Sequence, residues 1–291
     1  MYGAIEAGGT KFICLVGESP QNIIEEIRIP TTSPSETISQ ITQFFQKHNQ
    51  ATSLNGIGIG CFGPLNLRES SPDFGKLIST PKLAWEGVNL RKELLKHFNC
   101  SISIDTDVNA AAIGEYKWGA GQGLQNIVYL TVGTGIGGGA IVNGRPLRGL
   151  MHPEMGHMFI PRSPDDAFEG NCPFHQACLE GLASGSAINR RIQGEGVSIS
   201  DKDSFWELET QYLALGIVNI ICILSPERII LGGGVFEKRD FLFPMIRKKV
   251  QVLLNSYIQM KEIVEDINQY IVSPALGSQS GILGALALAY G

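Results

Sequence analysis

Thr131-Val132-Gly133-Thr134-Gly135-Ile136-Gly137-Gly138-Gly139 decides the reading of this chain, because Glu6-Ala7-Gly8-Gly9-Thr10-Lys11 follows the same plan. Each is a glycine-rich turn set directly after an apolar β-run. Residues 2–7 and 12–16 flank the first turn, and 23–29 offer a third strand. The pattern begins again at Asn126. Residues 127–132 read as a strand and 138–142 as another, and Asn143-Gly144 is a hairpin signal before a third strand at 145–147. Strand, glycine turn, strand, turn, strand, met twice, predicts an α/β chain built from a duplicated domain.

The rest of the chain alternates helices and strands. Ser33-Pro34-Ser35-Glu36 supplies an N-cap, a proline at the first helical position and a glutamate three residues after the cap. Ile38, Ile41, Phe44 and Phe45 then give that helix its apolar face. Residues 57–62 form a short strand ending at Gly63-Pro64, and Leu90, Leu94, Leu95 and Phe98 mark a second amphipathic helix. A strand at 101–105 leads into an alanine-rich helix at 108–116. Further on, helices are expected at 204–224, 240–257 and 281–289, with strands at 228–231 and 269–272. The Gly119–Gly123 stretch is the hinge candidate.

Glycine makes up 35 of the 291 residues, about 12% against a usual ~7%. It has no three-residue period, so neither collagen nor low-complexity disorder accounts for it. A third glycine turn, Gly232-Gly233-Gly234, again follows a β-run. Such turns bring backbone N–H groups close to an anion. None matches a P-loop. The second contains G-x-G-x-G, but a strand rather than a helix follows it, which argues against a dinucleotide fold.

The net charge of −5 offers no basic footprint for nucleic acid. No apolar stretch reaches the ~18 residues expected of a transmembrane helix, and the N-terminus lacks the features of a leader. These readings predict a cytoplasmic protein with reduced thiols and no membrane or nucleic-acid partner. Four cysteines sit singly in apolar surroundings and read as core. Cys172-Pro173-Phe174-His175-Gln176-Ala177-Cys178 is different: with His157 it completes a Cys2His2 set, sufficient for a closed, structural zinc site. The alternative is a disulfide, or two free thiols, beside surface histidines. Asp107, at the junction of a strand and a helix, reads either as a helix-capping carboxylate or as a base.

Together these pieces resemble the sugar kinase/actin/Hsp70 ATPase superfamily, and within it the ROK group (repressors, open reading frames and sugar kinases), most of all the bacterial fructokinases. The resemblance rests on residues 6–11, Thr106-Asp107-Val108-Asn109 through Glu115, the loop at 131–139, Glu154-Met155-Gly156-His157, 172–180 and 231–235, in the family's order. It implies an actin-like (ribonuclease H-like) duplicated fold of two domains with a nucleotide cleft between them. One domain would cover 1–117 with the helix at 278–291 packing back on it, and the other 118–277 with the zinc cluster.

What the resemblance implies for residues is specific. Asp107 would be the general base, favoured over Asp105 by the helix register. Gly63, Pro64, Thr106, Glu154, His157 and Glu180 would meet the sugar. Thr106 stands where the common pattern has Asn and reaches less far, which speaks against a glucokinase. Gly9, Thr10, Lys11, Gly133, Thr134 and Gly135 would hold the phosphates of ATP. Gly232, Gly233, Gly234, Val235 and Phe236 would face adenosine, and Gly185 and Ser186 would add N–H groups to the nucleotide site. Glu6 would hold Mg²⁺ through water. Pro81-Lys82-Leu83-Ala84-Trp85 resembles a sugar-side loop, with Trp85 equally readable as a core aromatic. The expectation is ATP-dependent phosphorylation of D-fructose to fructose 6-phosphate by a homodimer. The alternatives are a kinase of mannose, glucose or an N-acetylated hexosamine, or a non-catalytic ROK sugar sensor. A ROK repressor carries an N-terminal helix-turn-helix, whereas here the first phosphate loop begins at Glu6.

Overall fold

β-Branched and aromatic residues fill the opening runs, and in the computed structural model they pair as a meander. β1 (Tyr2–Ala7) lies antiparallel to β2 (Lys11–Ser19), and β2 antiparallel to β3 (Asn22–Pro30). The structure describes residues 1–80, 82–195, 200, 204–237 and 239–290; Pro81 of the expected sugar-side loop lies outside them. α1 (Pro34–Ala51) starts as its sequence dictates, with the Ser33 hydroxyl accepting from the N–H of Glu36 and Pro34 in the first turn. Then come β4 (Gly56–Cys61), α2 (Leu90–Leu95), β5 (Ser101–Thr106) and α3 (Asp107–Trp118). β6 (Ile127–Val132), β7 (Ile136–Val142) and β8 (Arg145–Pro146) repeat the meander. The chain continues through α4 (Leu179–Ala183), α5 (Gly185–Glu195), α6 (Phe205–Leu224), β9 (Arg228–Gly232) and α7 (Leu242–Leu254). It ends with α8 (Lys261–Val264), α9 (Ile267–Tyr270), β10 (Ile271–Val272) and α10 (Ser280–Leu288).

The duplication is visible in the strand orders. The first sheet runs β3-β2-β1-β4-β5 and the second, read from its far edge, β8-β7-β6-β9-β10. In both, the central strand has a meander on one side and two parallel strands on the other: β1–β4–β5 and β6–β9–β10.

The chain divides into two compact units. One is Met1–Gly123 with Gly139–Pro153 and Ala275–Gly291; the other is Leu124–Gly138 with Glu154–Pro274. In the first, Ile5, Phe12, Ile57 and Ile59 pack on one face of the sheet against Ile41 and Phe45 of α1. Ala4 and Leu15 pack on the other face against Ile282 and Leu286 of α10. Glycine allows that second face to close. Gly58 of β4 and Gly284 of α10 leave no room for a Cβ against the carbonyls of Ala285 and Ala110. The buried carboxylate of Glu115 then fastens α10 to α3, accepting from the N–H groups of Ala275 and Leu276 at 3.0 Å and the hydroxyl of Ser280 at 2.7 Å.

Three expectations need correction. The residues read as a strand at 269–272 begin as the helical turn α9, and only Ile271 and Val272 pair with β9. The glycine excess is not all in turns: Gly56, Gly58 and Gly60 give helices room to pack on β4. And one helix, α6, is long and apolar enough to cross a membrane, with a mean hydropathy of 1.4 over its window. Half of that window is buried inside the fold, where Tyr212, Leu213, Ile217 and Ile220 join the core, as in a central helix of a packed domain.

Candidate functional site

In the first unit the strand–helix junction at β5 and α3 separates two carboxylates by one residue. Thr106 is the N-cap: its hydroxyl accepts from the N–H of Asn109 at 3.1 Å, and its side chain is buried. The capping role left open for Asp107 therefore belongs to its neighbour. Asp105 is also spoken for. Its Oδ1 accepts from Thr106 N–H at 2.8 Å and Asn109 Nδ2 at 2.7 Å, and its Oδ2 from Arg148 Nη2 at 2.6 Å. It is fully buried inside that net.

Asp107 has no such net. Its Oδ1 accepts from the N–H of Val108 at 2.9 Å, and part of its surface stays open. Burial pushes its carboxyl up to about 6, against the pull of the Val108 and Asp107 N–H groups. A helix N-terminus favours an ionised carboxylate, but at Asp107 desolvation outweighs it. Glu6 is similar. Burial first, then the charge of Asp107, raise its carboxyl to about 7, while Lys11 and the N–H of Ile282 lower it. Glu6 Oε2 is buried with no hydrogen-bond partner. An orphaned, buried carboxylate oxygen fits a hydrated cation, which would bring the missing donors as water.

The first glycine loop is drawn tight by Gly8 N–H to Lys11 O at 3.0 Å. It is tied to Thr31, whose N–H reaches Thr10 O at 3.0 Å and whose hydroxyl reaches Gly8 O at 2.8 Å. Thr10 and Lys11 are exposed. Gly63 and Pro64 are joined by a cis peptide, and the next residue, Leu65, donates its N–H to Nε2 of buried His152 at 3.1 Å. Sequence reasoning missed His152, which acts from 87 residues away. Trp85 resolves as a core aromatic, 2% exposed.

In the second unit the glycine loop after β6 is held by the start of α5. Gly185 N–H donates to Gly133 O at 2.7 Å, and Ser186 donates its hydroxyl to Thr134 O at 2.7 Å and its N–H to the same carbonyl at 3.3 Å. These N–H groups were expected to face the nucleotide; they are spent on shaping the loop. A cavity of about 300 Å³ is lined by Gly133, Thr134, Gly185, Ser186, Gly234 and Val235, six of the expected nucleotide residues. Four others of this unit do not line it, and one of them, Gly135, abuts the carboxylate of Glu180. Gly233 adopts φ +96° beside the Val132 carbonyl, Gly232 packs on Tyr129, and Phe236 joins the core against Phe243 at 5.2 Å. The cavity also contains Trp206 and Arg239, which no local pattern announced. Arg239 lies over the Trp206 ring at 5.2 Å and donates to Val235 O at 3.2 Å. A larger cavity of about 920 Å³ in the first unit, bordered by Phe74, Tyr116 and Pro146, holds none of the expected site residues.

His157, Cys172, His175 and Cys178 converge, with their ligand atoms all within 4.8 Å of one another. Cys172 Sγ lies 3.7 Å from Nδ1 of both His157 and His175, and Cys178 Sγ 3.6 Å from Nδ1 of His157. A zinc tetrahedron with ordinary Zn–S and Zn–N bonds has edges of about 3.6 Å, so the donor set fits the ion. Both sulfurs meet Nδ1 of His157, which leaves its Nε2 for another partner. The cluster joins the turn Met155–His157 to α4, an attachment reinforced by Leu179 N–H to Met158 O at 2.9 Å. From α4, Glu180 Oε2 accepts the N–H of Ile136 at 2.9 Å. The cluster, Glu180 and the second glycine loop are thus one braced assembly. Glu154 is exposed at the head of the turn.

A family model described as the ROK family matches residues 2–291. The chain belongs to the ROK family. Its relatives cover it almost completely. A Bacillus subtilis protein is 46% identical over 290 residues, spanning 100% of this chain and 95% of its own. The fructokinase of Pediococcus pentosaceus is 42% identical over 289 residues, spanning 99% of this chain and 97% of its own. The fructokinase of Zymomonas mobilis is 42% identical over 295 residues, 99% and 96%. Among solved structures, the ROK hexokinase from Thermus thermophilus superposes with a TM-score of 0.79 over 99% of this chain and 97% of that one, at 23% identity. That likeness establishes the ROK sugar-kinase fold, the actin-like architecture expected from the glycine loops.

Proposed function

We propose that this ROK protein is an ATP-dependent fructokinase that makes fructose 6-phosphate, with Asp107 as the general base. The carrying observation is the desolvated carboxylate of Asp107, held only by backbone N–H groups, in a chain 42% identical to fructokinases over nearly its whole length. A base needs an oxygen that no structural partner occupies and a proton affinity that can be reached near neutral pH. Asp107 meets both conditions, whereas both oxygens of Asp105 are taken by structural partners. In the reaction Asp107 takes the proton from the 6-hydroxyl, the oxygen bonds the terminal phosphorus, and the bond from phosphorus to the bridging oxygen breaks to release ADP.

In the first unit, the 63–64 turn and the region of Thr106 serve the sugar, and Gly9, Thr10 and Lys11 serve phosphate. Glu6 would hold Mg²⁺ through water, and the ion would supply charge neutralisation to the phosphates. In the second unit, Glu154, Nε2 of His157 and the remaining oxygen of Glu180 offer acceptors and a donor to sugar hydroxyls. The cavity at Gly133, Gly185 and Gly234 takes the nucleotide, with Trp206 and Arg239 added to the expected set. Zinc is structural: four protein ligands leave it no open position, and it fixes His157 and Glu180. The six free cysteines fit a cytoplasmic location. The working form is a homodimer.

A coupled ADP-release assay over fructose, mannose, glucose and N-acetylated hexosamines tests the reading. Fructose should give the highest kcat/KM; preference for another sugar by tenfold or more would reassign the substrate. Elemental analysis of the purified chain should find about one zinc per chain, and sedimentation should find two chains per particle.

A further inference from the structure

We propose that Lys82 is a second cation of the phosphate loop at Gly8–Lys11 and contacts the terminal phosphoryl group of the nucleotide. The inference rests on the kinase reading above and adds a residue to it. The stretch 81–85 resembles a sugar-side loop, but the structure sends its lysine elsewhere. A Cβ placed on Gly9 would lie 3.4 Å from Cε of Lys82, so the side chain lies over the glycine turn itself. Among the described residues no carboxylate pairs with Lys82, and the residue is exposed.

The backbone that carries Lys82 is fastened to the same hairpin. Thr80, buried, accepts from Lys82 N–H at 3.3 Å, and Lys82 O accepts from Trp85 N–H at 2.7 Å. The Trp85 ring is stacked on Phe12, the residue after Lys11, at 5.1 Å, and its Nε1 donates to Thr32 O at 3.1 Å. Thr31, next to Thr32, holds the carbonyls of Gly8 and Thr10. The lysine turn and the glycine turn are therefore two ends of one short chain of contacts, and burial of Trp85 holds their spacing.

An ammonium with no carboxylate partner, set over a glycine turn, suits a phosphate oxygen and has little to offer a neutral sugar. The loop shares its unit with Asp107, and the charges of Lys11 and Asp107 both reach Glu6. The phosphate at this loop is thus the one nearest the proposed base, which is the group transferred. Lys82 takes no part in the proton transfer. Its charge faces the equatorial oxygens, where negative charge spreads in the transition state.

The test uses Lys82→Met and Lys82→Arg in the full chain, each first shown by thermal melting to fold like the parent. Calorimetry with Mg²⁺ compares ADP against an ATP analogue with a non-hydrolysable β,γ-bridge, and steady-state kinetics measure kcat and both KM values. Lys82→Met should weaken the analogue about tenfold, leave ADP within about twofold, and lower kcat about 10- to 100-fold. Lys82→Arg should recover most of both losses. Equal weakening of ADP and analogue, a rise in fructose KM alone, or no change in any of these would overturn the assignment. If the parent did not phosphorylate fructose while Lys82→Met still lost the analogue selectively, the sugar reading would fall and Lys82 would stand.

Discussion

Two carboxylates, one in each unit, show how differently this chain treats the same functional group. Asp166 in the second unit accepts a fork from Arg191 at 2.6 and 2.8 Å, the hydroxyl of Tyr212 at 2.5 Å and the N–H of Phe168 at 3.0 Å. Burial would push its carboxyl up, but those hydrogen bonds win and hold it at about 2. Asp107 in the first unit has one backbone donor besides its own N–H, and burial wins, to about 6. Asp166 is built to stay charged and to hold chain segments together. Asp107 is built at a cost in stability to remain reachable and protonatable, the usual signature of a group kept for chemistry.

The largest effect that can break this contrast is on activity. Asp107→Asn should lower kcat/KM for fructose about 10³- to 10⁴-fold in the coupled assay, the scale of a lost general base. The same change should raise stability. A carboxyl raised to about 6 when folded binds extra protons between roughly pH 4 and 6, so the parent's stability falls as pH climbs through that window. Removing the charge should return on the order of 2 kcal/mol at pH 7.5, discounted because Asp107 is partly open. An active or destabilised asparagine variant would show that Asp107 is structural after all.

Asp166→Ala should do the reverse. It leaves Arg191 buried without its partner and should cost about 3–5 kcal/mol in urea unfolding. Because Asp166, Arg191 and Tyr212 brace the loop before the metal cluster against α5 and α6, the loss should appear first as stability rather than as a changed sugar preference. Unfolding at the parent's urea midpoint would mean the net is ornamental.

Much of this was legible in the sequence, and the reason is locality. The N-cap of α1, the two β-runs before the glycine turns and the four metal-cluster residues are written within short windows, and the structure places them as read. α9 was misread because Tyr270, Ile271 and Val272 form a continuous apolar run, which over so few residues does not separate strand from helix. The partners that distinguish Asp105 from Asp107 were not legible: Arg148 lies 43 residues from Asp105. Nor could glycine content alone separate the glycines that face a cavity, such as Gly133 and Gly234, from those that let helices approach, such as Gly58 and Gly284.

The His157, Cys172, His175 and Cys178 cluster sharpens the contrast from a third side, since with zinc bound it would brace the second unit much as Arg191 does. Cys178→Ser should abolish stoichiometric zinc, lower the melting temperature and raise the fructose KM about 10- to 100-fold, the usual scale for loss of groups that orient a site. ATP affinity should change less, because the nucleotide cavity keeps its own clamp from Gly185 and Ser186 to the glycine loop. Equal loss of both substrates would mean that the cluster holds the whole unit rather than the sugar side.

The smallest expected effect is the pH profile, and it bears most directly on why Asp107 is held only by backbone N–H groups. The groups whose charge is felt around it are Glu6 from β1, Lys11 from β2 through Glu6, and the Cys61 thiol at the end of β4, which burial holds far above neutral pH. Of these, only Glu6 shares the neutral range, and Mg²⁺ would keep it ionised. A general base works deprotonated, so kcat/KM should be flat above about pH 7 and fall as the pH drops through about 6, reaching roughly a tenfold loss at pH 5. The limb should lie well above the ordinary aspartate range near 4. A flat profile from pH 7 down to 5 would place the base at an ordinary, solvated pKa, and the difference between Asp107 and Asp166 would then be one of packing rather than of chemistry.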